Sequence, residues 1–522
     1  MSRRVVMLGL DGFDRVLMQQ WVAEGRLPVM QGLLAESHKL MLDEANRPLP
    51  GGVWTDIQTG ASAAHHGYLH QQQLRLGSYE WRRVDSSHVA MEPFYGTLSK
   101  QGVRCAVIDY PVSHPIDDFN GVQVIDWGTE FQLWHFETRP KGFATKLFSQ
   151  YGKHPFVNYG GTDPGLPGLV ALKDKLLRGI EMKRRFAIDL LASNEYDFIY
   201  FCFSELHKAG HFFWRFHDRK HPEYTEVEPA LVDSLRECYE AQDRALGAVL
   251  ARLKGTDDLV VVADRGMYAD HRGDHLIDDT LIKLDLATPR GKMAAPSRFR
   301  SLRTQMLAGK RARQAYHYIA YHVLPDAVRE SLLPLHRAAL GQQPPFDWKR
   351  TRVFRLPTVG DSYLRVNLEG REPLGAVAPG AEYEATLRDV AAQFLALVNP
   401  ETGERAVENV YFPAKQFVGP RSAELPDVAI VWNSNAPINA VASDDIGVIA
   451  GPQPLGRSGN HRPEGFALFR GASFAPGASE QEGDARQITP TILQRFGIDP
   501  PAHYELDAPA AIVGSPRANR AA

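Results

Sequence analysis

Residues 4–12 read RVVMLGLDG, and the fold turns on how this stretch is read. Val5 to Leu10 are apolar or glycine at every position, and Asp11-Gly12 closes the run at once. A short strand with no polar alternation is buried on both faces, and the Asp-Gly pair is a turn signal. The apolar residues from 16 to 34 recur at helical spacing, so the chain opens with a strand feeding a helix. The same pattern returns in VRCAVID (103–109), in DFIYFCF (197–203) after a helical stretch from about 170, and in DLVVVA (258–263) after a helix through 231–254. Doubly buried strands separated by amphipathic helices predict a doubly wound α/β fold, a mostly parallel sheet with helices on both faces.

Residues 1–287 then form the first part of the α/β domain. From 288 to 346 the chain turns helical and basic, with Arg298, Arg300, Arg303, Lys310, Arg311 and Arg313 in one stretch. This predicts a helical cap or insertion, either a plain solvated surface or one that attracts an anionic substrate or lipid headgroup. Residues 347–514 read as the remainder of the α/β domain: YLRVN (363–367), a turn at Gly370, a helix near 383–398 and DVAIVW (427–432) predict that the sheet resumes there. Residues 515–522 read as a disordered tail.

With 522 residues, 44% hydrophobic and 23% charged, the chain can bury a sizeable core, which excludes a disordered chain, a collagen-like fibre and a disulfide miniprotein. A net charge of −3 leaves no basic excess for phosphate backbones, so no nucleic-acid groove is expected. Cys105, Cys202 and Cys238 form no C-x-x-C pair, and their odd number points to a reducing compartment. The apolar run after Arg3-Arg4 is too short for a secretory signal, and nothing approaches the ~18 apolar residues of a membrane span. The expectation is a soluble, cytoplasmic protein.

In parallel sheets ligands bind beyond the carboxyl ends of the strands. Asp11 closes the first predicted strand, Glu205 and His207 follow the third, and Asp264 closes the fourth. Each alone reads equally as a cap or turn former. His207 and His211 in SELHKAGHFFW (204–214) are four apart, so on a helix both imidazoles share a face at a spacing that chelates one metal; the same spacing also occurs on ordinary amphipathic helices. His461, in SGNHRPEGF (458–466), is the third ligand this pair suggests. Asp11 and Asp264 offer hard oxygen donors for a divalent ion, or serve as caps or ion-pair partners. WTDIQTGASAAHHG (54–67) sets Thr55 and Thr59 at a turn-to-helix junction, where a hydroxyl can be presented for attack.

The order of these elements resembles the alkaline phosphatase superfamily, and within it the type I phosphodiesterase/nucleotide pyrophosphatase-like branch. The resemblance rests on LDGF (10–13), WTDIQTGASAAHHG, the histidines after the third strand, VVADRGM (261–267) and GNHRPEG (459–465). It runs from Val5 to about Ile498, with support from DWKRTRVF (347–354), RVNLEGRE (365–372) and LPDVAIVW (425–432). It implies a doubly wound domain carrying two divalent metals, usually zinc, and a Thr or Ser nucleophile that attacks phosphorus. Asp11 and Asp264 match ligands of the nucleophile-side metal; His211 and His461 match ligands of the other.

Three positions depart from that pattern. His207 stands where the branch has an aspartate, which would give one metal a three-imidazole site. Arg265 stands where it has a histidine ligand, and a guanidinium coordinates no metal. The nucleophile register falls on Pro50, leaving Thr55 as the nearest downstream hydroxyl, or a metal-activated water in direct attack. Arg265 reads constructively as an anion clamp paired with Asp11 and Asp264, in a site holding one ion; Glu205, His271, Asp274 and His275 are spare ligands that would restore a second. The function expected is metal-dependent hydrolysis of phosphodiesters or related small anionic esters, with one or two ions, most simply zinc. The alternative is a degenerate relative that binds phosphoryl ligands, or serves as a scaffold, without turnover.

Overall fold

The structure is a computed structural model that describes residues 4–42, 47–129, 133–155, 163–290, 346–356, 358, 361–451 and 456–513. The basic segment within 291–345 and the tail from 514 lie outside the described residues. The chain forms two compact units: Met1–Leu276 with Arg355–Arg365 and Leu387–Ala522, and Ile277–Phe354 with Val366–Thr386.

The first unit is built on a nine-stranded sheet. Its strands in chain order are β1 (Val5–Leu10), β2 (His38–Met41), β3 (Cys105–Ile108), β4 (Gly121–Ile125), β5 (Glu137–Arg139), β6 (Phe198–Phe203), β7 (Asp258–Ala263), β8 (Phe466–Arg470) and β9 (Glu480–Glu482). They lie in the order β9-β2-β8-β7-β1-β6-β3-β4-β5. The five central strands β7-β1-β6-β3-β4 are parallel, with β8 and β5 antiparallel at their flanks. β1 lies in the middle, with Val5 opposite both Phe198 and Asp258.

Every residue of β1, β6 and β7 is buried, as a run without polar alternation requires of a strand covered on both faces. Val6, Leu8, Leu10, Phe201 and Val261 face one core, under helices that include Gly165–Ser193 and Ser234–Leu250. Val5, Met7, Tyr200 and Val260 face the other, with Phe94, Leu98 and Ile492 from helices on that side. Two cores on opposite faces of one sheet define the doubly wound architecture.

Sequence pattern misplaced one group of strands. Ser362–Val366 and Val428–Trp432 form as strands, but pair with each other and with Val407–Tyr411 in a separate antiparallel sheet. The main sheet resumes only at β8. Periodicity registers that a segment is extended and buried, and carries no information about its partner.

The second unit has its own polar clasp. The Asn367 side chain, fully buried, donates to the carbonyls of Trp348, Thr351 and Leu374 at 2.7, 2.8 and 3.0 Å. Among the described residues no helix is long and apolar enough to cross a membrane, and the three cysteines are free and buried.

Phe201, at the centre of β6, is wholly buried and packs edge-on against Phe186 at 5.5 Å. Phe201→Ala leaves a cavity under the sheet and is expected to lower stability by about 3–5 kcal/mol. Denaturant unfolding checks this; a change below about 1 kcal/mol would contradict the two-faced core.

Candidate functional site

Strand order explains how the polar residues meet. β7, β1 and β6 are adjacent and parallel, so their carboxyl ends lie side by side, and the residues that follow them are Asp264, Asp11 and the helix α1 (Glu205–His217). Gly12 turns the chain after Asp11 at φ +69°, a left-handed conformation, and a Cβ there would lie 2.6 Å from the His207 Cα. The same turn donates the Gly12 N–H to Asp264 Oδ1 at 3.3 Å. The start of α1 is held from behind by Glu205, whose Oε1 lies 3.3 Å from the fully buried Lys183 Nζ and 3.0 Å from His154 Nε2.

His461 arrives by a different route. Gly459–Arg462 pairs antiparallel with Gly266–Ala269, the strand just after Asp264-Arg265, in a register that sets His461 opposite Met267. This hairpin also lies on α1: the Ser458 N–H donates to the His211 carbonyl at 2.8 Å, and a Cβ on Gly459 would sit 2.1 Å from the Gly210 carbonyl oxygen. His207, His211 and His461 thus converge, with ring centroids 5.0, 4.5 and 4.8 Å apart. Each offers one nitrogen to a group whose ligand atoms all lie within 4.8 Å of one another.

A hydrogen bond on His211 and an ion-pair contact on His207 bear on the ring orientations. His211 Nδ1 donates to the Gly459 carbonyl at 2.8 Å, which leaves Nε2 with its lone pair available. His207 Nδ1 lies 2.9 Å from Asp11 Oδ1, the carboxylate–imidazole arrangement that orients metal-binding histidines. His461 Nδ1 is buried and has no hydrogen-bond partner among the described residues. Burial, reinforced by the Arg457 charge at His211 and the Arg265 charge at His461, holds both imidazoles well below the usual histidine range, so they stay neutral as metal ligation requires.

The carboxylates behave differently from simple ligands. Burial holds Asp11 above the ordinary carboxylate range against the pull of Arg265, and burial together with the Asp11 charge does the same to Asp264. Both stand outside the three-imidazole group. Asp11 Oδ1 is engaged by His207 and by Trp54 Nε1 at 3.3 Å, and Asp264 Oδ2 lies 3.4 Å from Arg265 Nε. Arg265 is itself largely buried, its side chain 13% exposed.

Thr55 lies inside the helix Val53–Thr59 and not in the Pro50–Gly52 turn that precedes it. Its hydroxyl is buried with no hydrogen-bond partner among the described residues, and it is Trp54 that reaches Asp11. The spare ligands are engaged elsewhere: Glu205 with Lys183 and His154, Asp274 with Arg355 at 3.1 Å, His271 with the Ser434 carbonyl and His275 with the Gly451 carbonyl.

Sequence reading missed three participants. Trp54 supports Asp11. Arg457 places Nη1 3.2 Å from His211 Nε2. Asp361 brings a carboxyl oxygen within 3.1 Å of where a Gly51 Cβ would stand, under the influence of the Arg265 charge. A cation four residues before His461 was a legible signal for Arg457; Asp361 lies in no motif.

Gly459→Ala is expected to push the His461 hairpin off α1 and weaken zinc affinity by about 10–100-fold. Competition against a chromophoric chelator measures it; unchanged affinity would show that the glycine contact does not set the imidazole spacing.

Residues 5–411 match the family model described as type I phosphodiesterase / nucleotide pyrophosphatase. No curated protein matches the sequence. Among solved structures, phosphonoacetate hydrolase from Sinorhizobium meliloti 1021 in complex with phosphonoformate is similar at 13% identity and a TM-score of 0.48, over 91% of this chain and 92% of that one. An inactive variant of murine ectonucleotide pyrophosphatase / phosphodiesterase 5 in complex with AMP is similar at 10% identity and a TM-score of 0.47, over 96% of each chain.

Proposed function

The chain belongs to the type I phosphodiesterase/nucleotide pyrophosphatase family, and from that premise we propose that it hydrolyses small anionic phosphoric esters at a one-ion site formed by His207, His211 and His461, with Arg265 as the anion's partner. The family is one of phosphoryl-ester hydrolases that generally depend on divalent metals. The observation that carries the one-ion reading is the three-imidazole group itself, with His211 Nε2 left unprotonated by the bond from Nδ1 to Gly459 and His461 Nδ1 buried without a hydrogen-bond partner among the described residues.

These residues fit a single ion, and His₃ donor sets suit zinc. The family's second position fits poorly: Arg265 stands at the ligand slot, while Asp11 and Asp264 are committed to His207, Trp54 and Arg265. A bound ion supplies a Lewis acid that activates water and stabilises charge on a phosphoryl oxygen. The chain's own residues prepare that chemistry. Asp11 fixes the orientation of the His207 ring, and Trp54 steadies Asp11. Asp264 holds the Arg265 side chain, whose planar fork matches two phosphoryl oxygens. Burial keeps the His211 and His461 imidazoles neutral, so no proton competes for their lone pairs.

Two features favour a second reading, a phosphoryl-ligand binding protein without turnover. Pro50 falls at the family's nucleophile register, and Arg265 replaces a metal ligand. A panel of aryl phosphate, phosphodiester, phosphonate and sulfate esters, assayed with added zinc or manganese, separates the two. The hydrolase reading expects turnover that His211→Ala abolishes, and one tightly held ion per chain in protein purified without chelator. Binding without turnover on any ester would favour the second reading, and two tightly held ions would overturn the one-ion site.

A further inference from the structure

The strand that carries His461 is short, Gly459–Arg462, and it is held at both ends. At one end Gly459 lies against Gly210; at the other the Arg462 fork closes on Asp14, with Nε 2.7 Å from Oδ2 and Nη2 3.0 Å from Oδ1. In this bidentate arrangement a charged pair is strong and directional. The Asp14 carboxylate is wholly buried and takes two more donors, the Leu17 N–H at 2.7 Å on Oδ1 and the Met267 N–H at 3.1 Å on Oδ2. Its own N–H donates to the buried Tyr239 hydroxyl at 2.7 Å. Capping the helix Arg15–Ala23 needs only the Leu17 bond. The remaining bonds reach both strands of the Gly266–Ala269 and Gly459–Arg462 pair, Arg462 on one and Met267, opposite His461, on the other. Gly266 leaves space for the fork: a Cβ there would stand 2.5 Å from Asp14 Oδ2 and 3.1 Å from Arg462 Cγ.

Resting on the hydrolase reading and its one-ion site, we propose that Asp14 and Arg462 are positioning residues for zinc, their ion pair holding His461 at the spacing at which its imidazole completes the three-histidine group. Successive side chains of a strand point to opposite faces, so a grip on Arg462 from one face fixes how His461 is presented on the other. A strand this short, pinned only at Gly459, can pivot about that contact; the hold on Arg462 at its far end removes the freedom. Asn460 Nδ2 also donates to Asp270 Oδ2, at 3.2 Å, but as a single neutral donor it gives the weaker grip. Neither Asp14 nor Arg462 belongs to the imidazole group, so the pair acts on an ion through His461. Removing the guanidinium charge by itself favours a cation, so a loss of zinc affinity reports the lost hold and not the lost charge.

Zinc affinity of the full chain is measured by competition against chromophoric chelators in the wild type, in Arg462→Gln, in Arg462→Lys, and in His461→Ala with and without Arg462→Gln. Arg462→Gln is expected to weaken zinc binding by about 10–100-fold, the usual cost of losing a partner that orients a ligand. Arg462→Lys keeps the charge and loses the fork, so its loss should be smaller; it guards against misfolding of the glutamine variant. With His461 already removed, Arg462→Gln should change zinc affinity by less than about twofold, because changes that act through one group do not add. A general loss of packing would weaken binding equally in both backgrounds. That outcome, or unchanged affinity in both single variants, would overturn the assignment. Turnover is read separately on the ester panel. The expected pattern of zinc losses in protein that hydrolyses no ester leaves the pair standing and sinks the hydrolase; active protein whose zinc affinity ignores Arg462 sinks the pair alone.

Discussion

Gly210 and Gly459 touch backbone to backbone, and the candidate site depends on that contact. The gap admits no side chain, since a Cβ at Gly459 would stand 2.1 Å from the Gly210 carbonyl oxygen. Because Gly459 has no Cβ, the strand Gly459–Arg462 lies directly on α1, its Gly459 carbonyl reaches His211 Nδ1, and His461 enters between rings already fixed by the helix. The pairing of that strand with Gly266–Ala269 extends the same constraint to Asp264 and Arg265. One close approach therefore brings elements from the middle and the end of the chain to the tips of three adjacent strands.

Around that contact the charges are arranged at considerable cost. Lys183, Glu205, Asp11, Asp264 and most of Arg265 are removed from water, and buried ions stabilise a fold only when closely paired. Each here has a partner: Lys183 and His154 on Glu205, Arg265 on Asp264, His207 and Trp54 on Asp11. Such a network adds little net stability and much definition, because each group tolerates one arrangement. It keeps two imidazoles neutral and oriented within a charged surrounding, the condition under which they ligate a metal.

In the proposed one-ion reading, Arg265 marks where this chain parts from the pattern that the sequence resemblance implies. A histidine at that position would contribute a lone pair; a guanidinium contributes only donors, and it takes up the Asp264 oxygen that a second ion would need. His207 supplies the third imidazole of the group.

Much was legible from residue order alone. The doubly buried runs at Val5–Leu10, Phe198–Phe203 and Asp258–Ala263 announced a parallel sheet, because full burial on both faces leaves no polar alternation, and the helical spacing of His207 and His211 put two rings on one face. The arginine at 265 and the proline at 50 were equally plain, as chemical identity needs no coordinates. Which strands are neighbours, that Ser362–Val366 and Val428–Trp432 build a separate sheet, and that Trp54, Arg457 and Asp361 approach the site were settled by tertiary structure. Periodicity reports the environment of a residue along its own segment; the identity of what it meets across space depends on register, close approach and packing, which no local stretch of chain contains.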